Sequence, residues 1–222
     1  MTKIITISRQ FGSGGRTVGR QVAEKLGIPC YDAEIIQKIA EKSGYSKEYI
    51  EEQSESEAGG LFGSFTTADL YGYSGKLTIW ANQCRIIEAL AQQGPCVIVG
   101  RCADYVLKNT ETELLRVFIY ADEKDRIHRI VHEYGETDVK PEKRLREKDK
   151  RRKAYYEVYT DQKFGDPVNY DMCLNTSGLG IEGCVDLIEQ VYKKARKHCF
   201  YHWMKGHVMP GFQRCWKMII FS

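Results

Sequence analysis

Close to the start of the chain, the cluster Phe11-Gly12-Ser13-Gly14-Gly15 separates a β-branched run from a helical one. Lys3-Ile4-Ile5-Thr6-Ile7-Ser8 has the composition of a buried strand. After the glycines, Val18, Val22, Ala23 and Leu26 recur at helical spacing until Gly27 stops the run. The order is strand, glycine loop, helix. Such a turn leaves backbone N–H groups unpaired at the positive end of a helix dipole, a place suited to an anion.

The alternation continues along the chain. Ile28-Pro29-Cys30-Tyr31-Asp32 reads as a short second strand or extended connector, and Ile35, Ile36, Ile39 and Ala40 mark a second helix. Leu77 through Leu90 predicts a helix ending near Gly94. The apolar bursts Cys96-Val97-Ile98-Val99-Gly100 and Leu114 to Tyr120 are strands covered on both faces, as in a parallel sheet. Asp122 to Glu133 and residues 140 to 160 predict helices, Tyr170 to Asn175 a fifth strand, and Ile181 to Lys197 a closing helix. The expectation is an α/β fold in three layers, built on a five-stranded parallel sheet with right-handed crossovers. Residues 43 to 76 depart from this pattern: Glu48, Glu51, Glu52, Glu55 and Glu57 give way to glycines among aromatics. They read as a mobile inserted segment.

At 222 residues the chain suits one domain with an ample core, and 42 % hydrophobic content argues against disorder. No apolar run approaches the ~18 residues of a membrane span, and the first residues are too short and polar for a secretory signal, so a cytoplasmic protein without a membrane partner is expected. The 8 cysteines contain no C-x-x-C pair, unlike a disulfide scaffold or zinc ribbon. The net charge of +3 is segregated. Residues 140 to 153 sum to +6 and the last 32 residues to +7, which leaves the rest of the chain at −10. A nucleic-acid binder with a uniformly basic face would look different; a small polyanion needs only one local cluster of cations.

Three motifs carry chemistry. The glycine loop has the physics of a P-loop but departs from G-x-x-x-x-G-K-[ST]: with Gly15-Arg16-Thr17 aligned on its end, Gln10 takes the first glycine's place and Arg16 the lysine's. Gly12, Ser13, Gly14, Gly15 and Arg16 would cradle donor phosphates, and the Thr17 hydroxyl would bind Mg²⁺. The second motif, Gly100-Arg101-Cys102-Ala103-Asp104, ends an apolar strand, at the sheet edge where open α/β folds bind ligands. The third comprises Arg126 and Arg129 after the fourth strand, then Asp149 and Arg152 at the same spacing in the basic helix. Residues three apart share a helix face, and arginines brought in by a closing segment stabilise the charge that develops in phosphoryl transfer.

Four stretches together resemble the cytidylate kinase-like family. They are Ile5 to Arg16, Pro29 to Ile36, Val97 to Tyr105, and Phe164 to Asp171 with Leu174-Asn175-Thr176-Ser177. The resemblance spans residues 1 to about 197 and implies a P-loop nucleoside monophosphate kinase fold with acceptor-binding and lid segments. Against the G-S-G-K-G-T of true cytidylate kinases this chain has Gly12-Ser13-Gly14-Gly15-Arg16-Thr17, with glycine at the lysine's place and arginine one position later. By position, Arg101 and Asp104 resemble the acceptor-contacting G-R-D segment, Asp149 and Arg152 the pair that recognises cytosine and phosphate, and Arg126 and Arg129 lid arginines. Tyr31-Asp32-Ala33-Glu34 differs from the L-D-[ST]-G of cytidylate kinases, and its two carboxylates resemble those of shikimate-type kinases.

The function expected is ATP- and Mg²⁺-dependent phosphoryl transfer to a nucleoside monophosphate, with CMP or dCMP favoured. Arg16, Arg126, Arg129 and Arg152 are the expected catalytic cations. Asp32, Arg101, Asp104, Asp149 and Arg152 are expected to hold the acceptor, and Thr17 with Asp32 the metal. The alternatives are a kinase for a small non-nucleotide alcohol and a nucleotide-binding regulatory module without turnover. Residues 1–197 form the expected kinase domain, with 43–76 on the acceptor side and about 130–165 as the lid. The basic tail 198–222 reads as packing on the domain or on a second copy of the chain; His198 and His202 have zinc-like spacing without recognised partners.

Overall fold

The computed structural model describes residues 3–32, 67–135 and 140–207. Their elements are β1 (Lys3–Arg9), α1 (Gly15–Leu26), β2 (Cys30–Tyr31), α2 (Thr67–Gln93), β3 (Cys96–Val99), α3 (Ala103–Val106), β4 (Glu113–Tyr120), α4 (Glu123–His132), α5 (Pro141–Thr160), β5 (Met172–Asn175) and α6 (Thr176–His207). The five described strands form one parallel sheet in the order β2-β3-β1-β4-β5, as the alternation predicts.

The isoleucines of β1 show why the sheet is sandwiched. Side chains alternate across a strand, so Ile5 and Ile7 enter one core with Val18 and Val22 of α1 and Val185 and Ile188 of α6. Ile4 faces the opposite core with Ile86, Ile87 and Leu90 of α2 and Leu107 after α3. Ile4, Ile5 and Ile7 are fully buried, each contributing roughly 1.5–3 kcal/mol through removal from water. Gly19 lets α1 lie on the sheet, since a Cβ there would sit 2.7 Å from Val99 Cγ2. A third, smaller cluster of Phe11, Ile130 and Leu145 joins the glycine loop to α4 and α5 at the carboxyl edge of the sheet.

Three elements differ from the pattern reading. Residues 67–76, expected within a loop, begin α2. Gly72 and Gly75 cost roughly 1 kcal/mol each in helix propensity, but lengthening a helix already anchored by Ile86, Ile87 and Leu90 needs no new nucleus. The last helix starts directly after β5, breaks at Gly180 (φ 70°, ψ 171°) and runs past Lys197 to His207, since no Gly or Pro stands between Gly183 and Gly206. β5 begins at Met172 because a short 3-10 turn, Pro167–Asn169, precedes it. The expected helix around Ile35 to Ala40, the rest of the 43–76 segment, Glu34, residues 136–139 of the lid and the tail beyond 207 lie outside the described residues.

Candidate active site

The glycine loop turns its carbonyls outward. Phe11 O accepts from Arg126 Nε at 2.7 Å, Gly12 O from Arg129 Nη1 at 2.7 Å, and Ser13 O from Thr176 Oγ1 at 2.8 Å. The N–H groups of Gly12, Gly14, Gly15 and Arg16 have no acceptor among the described residues. That is the donor set an anion needs at a helix N-terminus. Glycine is required twice over here. Gly12 and Gly14 have φ of 73° and 78°, and a Cβ would meet Arg126 O at 2.8 Å in the first case and Ile181 Cδ1 at 2.5 Å in the second.

Behind the loop, α4 and α5 form a clamp. Asp149 Oδ1 accepts from the N–H of Phe11 at 2.8 Å, and its other oxygen is hydrogen-bonded to Arg126 Nη2. Arg126 is buried, so its charge is matched by that carboxylate and by Phe11 O. Arg126, Arg129 and Asp149 thus hold the loop's backbone. Arg152, one turn after Asp149, lies over the Phe11 ring, donates to Arg9 O at 3.4 Å and reaches the cleft in front of the loop.

That cleft opens at the carboxyl edge of the sheet. Ser8 and Arg9 end β1, Arg16 stands in the first turn of α1, Asp32 follows β2, and Gly100, Arg101 and Cys102 follow β3. α5 supplies Lys148, Arg151, Arg152, Tyr155 and Tyr156. Six cations therefore face one carboxylate, Asp32, which pairs with Arg16 Nε at 2.6 Å and Arg9 Nη2 at 3.7 Å. Arg101 and Cys102 both adopt left-handed backbone, φ 57° and 54°, which side chains other than glycine rarely do. Gln83 of α2 fixes this turn: its Nε2 donates to Arg101 O at 2.9 Å, and its Oε1 accepts from Tyr155 OH at 3.0 Å.

Asp104 lies beneath the floor. It is buried, accepts from Tyr156 OH at 2.7 Å and Ser8 Oγ at 3.4 Å, and meets the cleft only through those two residues. Burial raises its pKa, and the Tyr156 hydrogen bond opposes that rise in part. Burial and the Asp104 charge also push the Tyr156 phenol up, so it stays a donor at any physiological pH.

Of the residues expected from sequence, Arg16, Asp32, Arg101 and Arg152 line one cleft, with Asp104 under it and Arg126, Arg129 and Asp149 behind the loop. Thr17 is half-buried in the first turn of α1 and does not line the cleft. Mg²⁺ bound mainly through phosphate oxygens and water needs only one or two protein oxygens, a demand Thr17 meets; Asp32 would have to loosen its arginine pairs to join it. No group of three or more His, Cys, Asp or Glu suited to a metal exists among the described residues. On the inner face of α5, the sequence motifs single out Arg152 but not Lys148, Arg151 or Tyr155. Lys148, Arg151, Arg152 and Tyr155 fall at i, i+3, i+4 and i+7, a signal that was present in the spacing.

A parallel sheet of order 2-3-1-4-5, a glycine loop joining its central strand to the first helix, and a cationic cleft beside that loop define a P-loop phosphotransferase. The model of the Cytidylate kinase-like family matches residues 4–178, and the chain belongs to that family. It is 30 % identical to a cytidylate kinase of Archaeoglobus fulgidus over 191 residues, 83 % of this chain and 91 % of that one. A cytidylate kinase of Pyrococcus horikoshii is 26 % identical over 188 residues, 84 % of this chain and 86 % of that one. Among solved structures, an uncharacterized protein from Eubacterium ventriosum is similar with a TM-score of 0.65 and 25 % identity, covering 86 % of this chain and 98 % of that one. Among the described residues no helix is long and apolar enough to cross a membrane.

Proposed function

We propose that the chain transfers the γ-phosphoryl group of ATP to a nucleoside monophosphate, with CMP or dCMP favoured. The observation that carries this reading is the convergence of six cations from four parts of the chain on one cleft beside the loop's unpaired amides. Two phosphate-bearing substrates must meet there, and the reaction is governed by positioning and charge stabilisation, with no strict need for a general base. In this reading the amides of Gly12 to Arg16 and the Arg16 side chain hold the donor. Arg101, Arg152 and the neighbouring Arg151 hold the acceptor phosphate, and the rings of Tyr155 and Phe164 flank its base. Thr17 would hold Mg²⁺, which when bound neutralises phosphate oxygens. The names of the two relatives support the cytidine preference.

The test is ADP release from ATP and Mg²⁺ with CMP, dCMP, UMP, AMP or shikimate as acceptor. The reading expects kcat/KM to be highest for CMP or dCMP. Turnover with shikimate and none with any nucleotide would move the assignment to a small-alcohol kinase; no turnover with any acceptor would favour a binding module.

A further inference from the structure

We infer that Arg9 supplies the fixed positive charge at the transferred phosphoryl group, the role of the P-loop lysine of true cytidylate kinases, where this chain has glycine. The inference deepens the kinase reading and rests on it. Arg9 ends β1, the central strand, and its side chain runs across the cleft between two glycines. A Cβ at Gly15, in the donor loop, would lie 2.6 Å from Arg9 Cβ. A Cβ at Gly100, which opens the Arg101 segment, would lie 1.9 Å from Arg9 Nη1. The stem therefore packs on the donor side and the guanidinium reaches the acceptor side.

The two glycines leave space that the Arg9 side chain occupies, and Asp32 pairs with its far end at 3.7 Å. Its side chain is 16 % exposed, whereas that of Arg16 is 65 % exposed. Preorganisation favours the residue that is already held, because a cation fixed before the reaction needs no reordering when charge develops on the moving group. Arg16 meets Asp32 from the solvent side, whereas Arg9 is enclosed between Gly15 and Gly100.

ATP and ADP differ by the phosphoryl group in question, so the ratio of their affinities reads the Arg9 contact without any acceptor. With Mg²⁺ present, calorimetry on Arg9→Gln should show ATP affinity down on the order of tenfold or more and ADP affinity changed by less than about threefold. Arg9→Lys, which keeps the charge and the stem on Gly15, should retain the ATP-over-ADP preference. Equal losses for both nucleotides in a folded Arg9→Gln protein, or an unchanged ratio, would overturn the inference and leave Arg9 a support of the loop. If Arg9→Gln does not fold, a folded Arg9→Lys protein that no longer distinguishes ATP from ADP overturns it as well. Because the measurement needs no acceptor, failure of the nucleoside monophosphate reading would show separately, in the acceptor panel.

Discussion

Asp104 sits in the chain as a carboxyl group between a serine and a tyrosine, cut off from water by the residues that floor the cleft. Its pKa in the folded protein is raised by burial, so the native state binds its proton more tightly than the unfolded chain does. The stability linked to this group is therefore full below the unfolded value of about 4 and is lost as pH rises through the folded value. Asp104→Asn removes the ionisation and keeps the shape. Thermal unfolding from pH 4 to pH 8 should show the variant gaining on the wild type as pH increases; parallel curves would mean that the carboxylate is not held at a cost. Sequence made part of this residue visible. Gly100-Arg101-Cys102-Ala103-Asp104 marked a ligand-binding edge, and Arg101 does line the cleft, but two left-handed residues turn Asp104 downward onto Tyr156. Backbone strain of that kind leaves no trace in residue spacing.

At the level of elements, α5 is joined to the glycine loop by Asp149 and Arg126 rather than by apolar packing alone. Arg126→Ala leaves Asp149 without its charge partner and Phe11 O without a donor, and should destabilise the fold by on the order of 2–4 kcal/mol. Asp149→Asn should raise the KM for ATP several-fold while leaving the relative rates with CMP and UMP unchanged, since its oxygens face the donor loop. Initial-rate kinetics on the two acceptors would show this, and a collapse of base discrimination would return Asp149 to the acceptor. The elements themselves were largely legible, because an alternation of apolar runs and amphipathic stretches is a local property. Which face of α5 meets which backbone was not. The three-residue spacing of Asp149 and Arg152 says that they share a helix side, yet the loop lies between them, so one reaches its back and the other its front.

For the whole molecule, the cleft gathers six cations against one carboxylate in a chain whose overall charge is only +3. Without an anion those guanidinium and ammonium groups repel one another, and a multivalent anion relieves the repulsion while gaining the loop amides. Tripolyphosphate at about 100 times its dissociation constant should stabilise the fold by roughly 2.7 kcal/mol, visible as a rise in Tm that sodium chloride of equal ionic strength does not reproduce. Equal shifts from both salts would argue against a built polyanion site.

The placement of β1 in the middle of the sheet also bears on how the chain is made. Ile4 pairs with Cys96 on one side and Leu114 on the other, and every bond that locks the first strand waits for residues near the middle of the sequence. At ~5–20 residues per second of synthesis, β1 and its fully buried isoleucines leave the ribosome on the order of ten seconds before a partner strand exists. The nascent chain must carry that apolar segment unpaired through the interval, and the contacts that finally close the sheet are among those most distant in sequence, which places this fold among the slower classes to assemble.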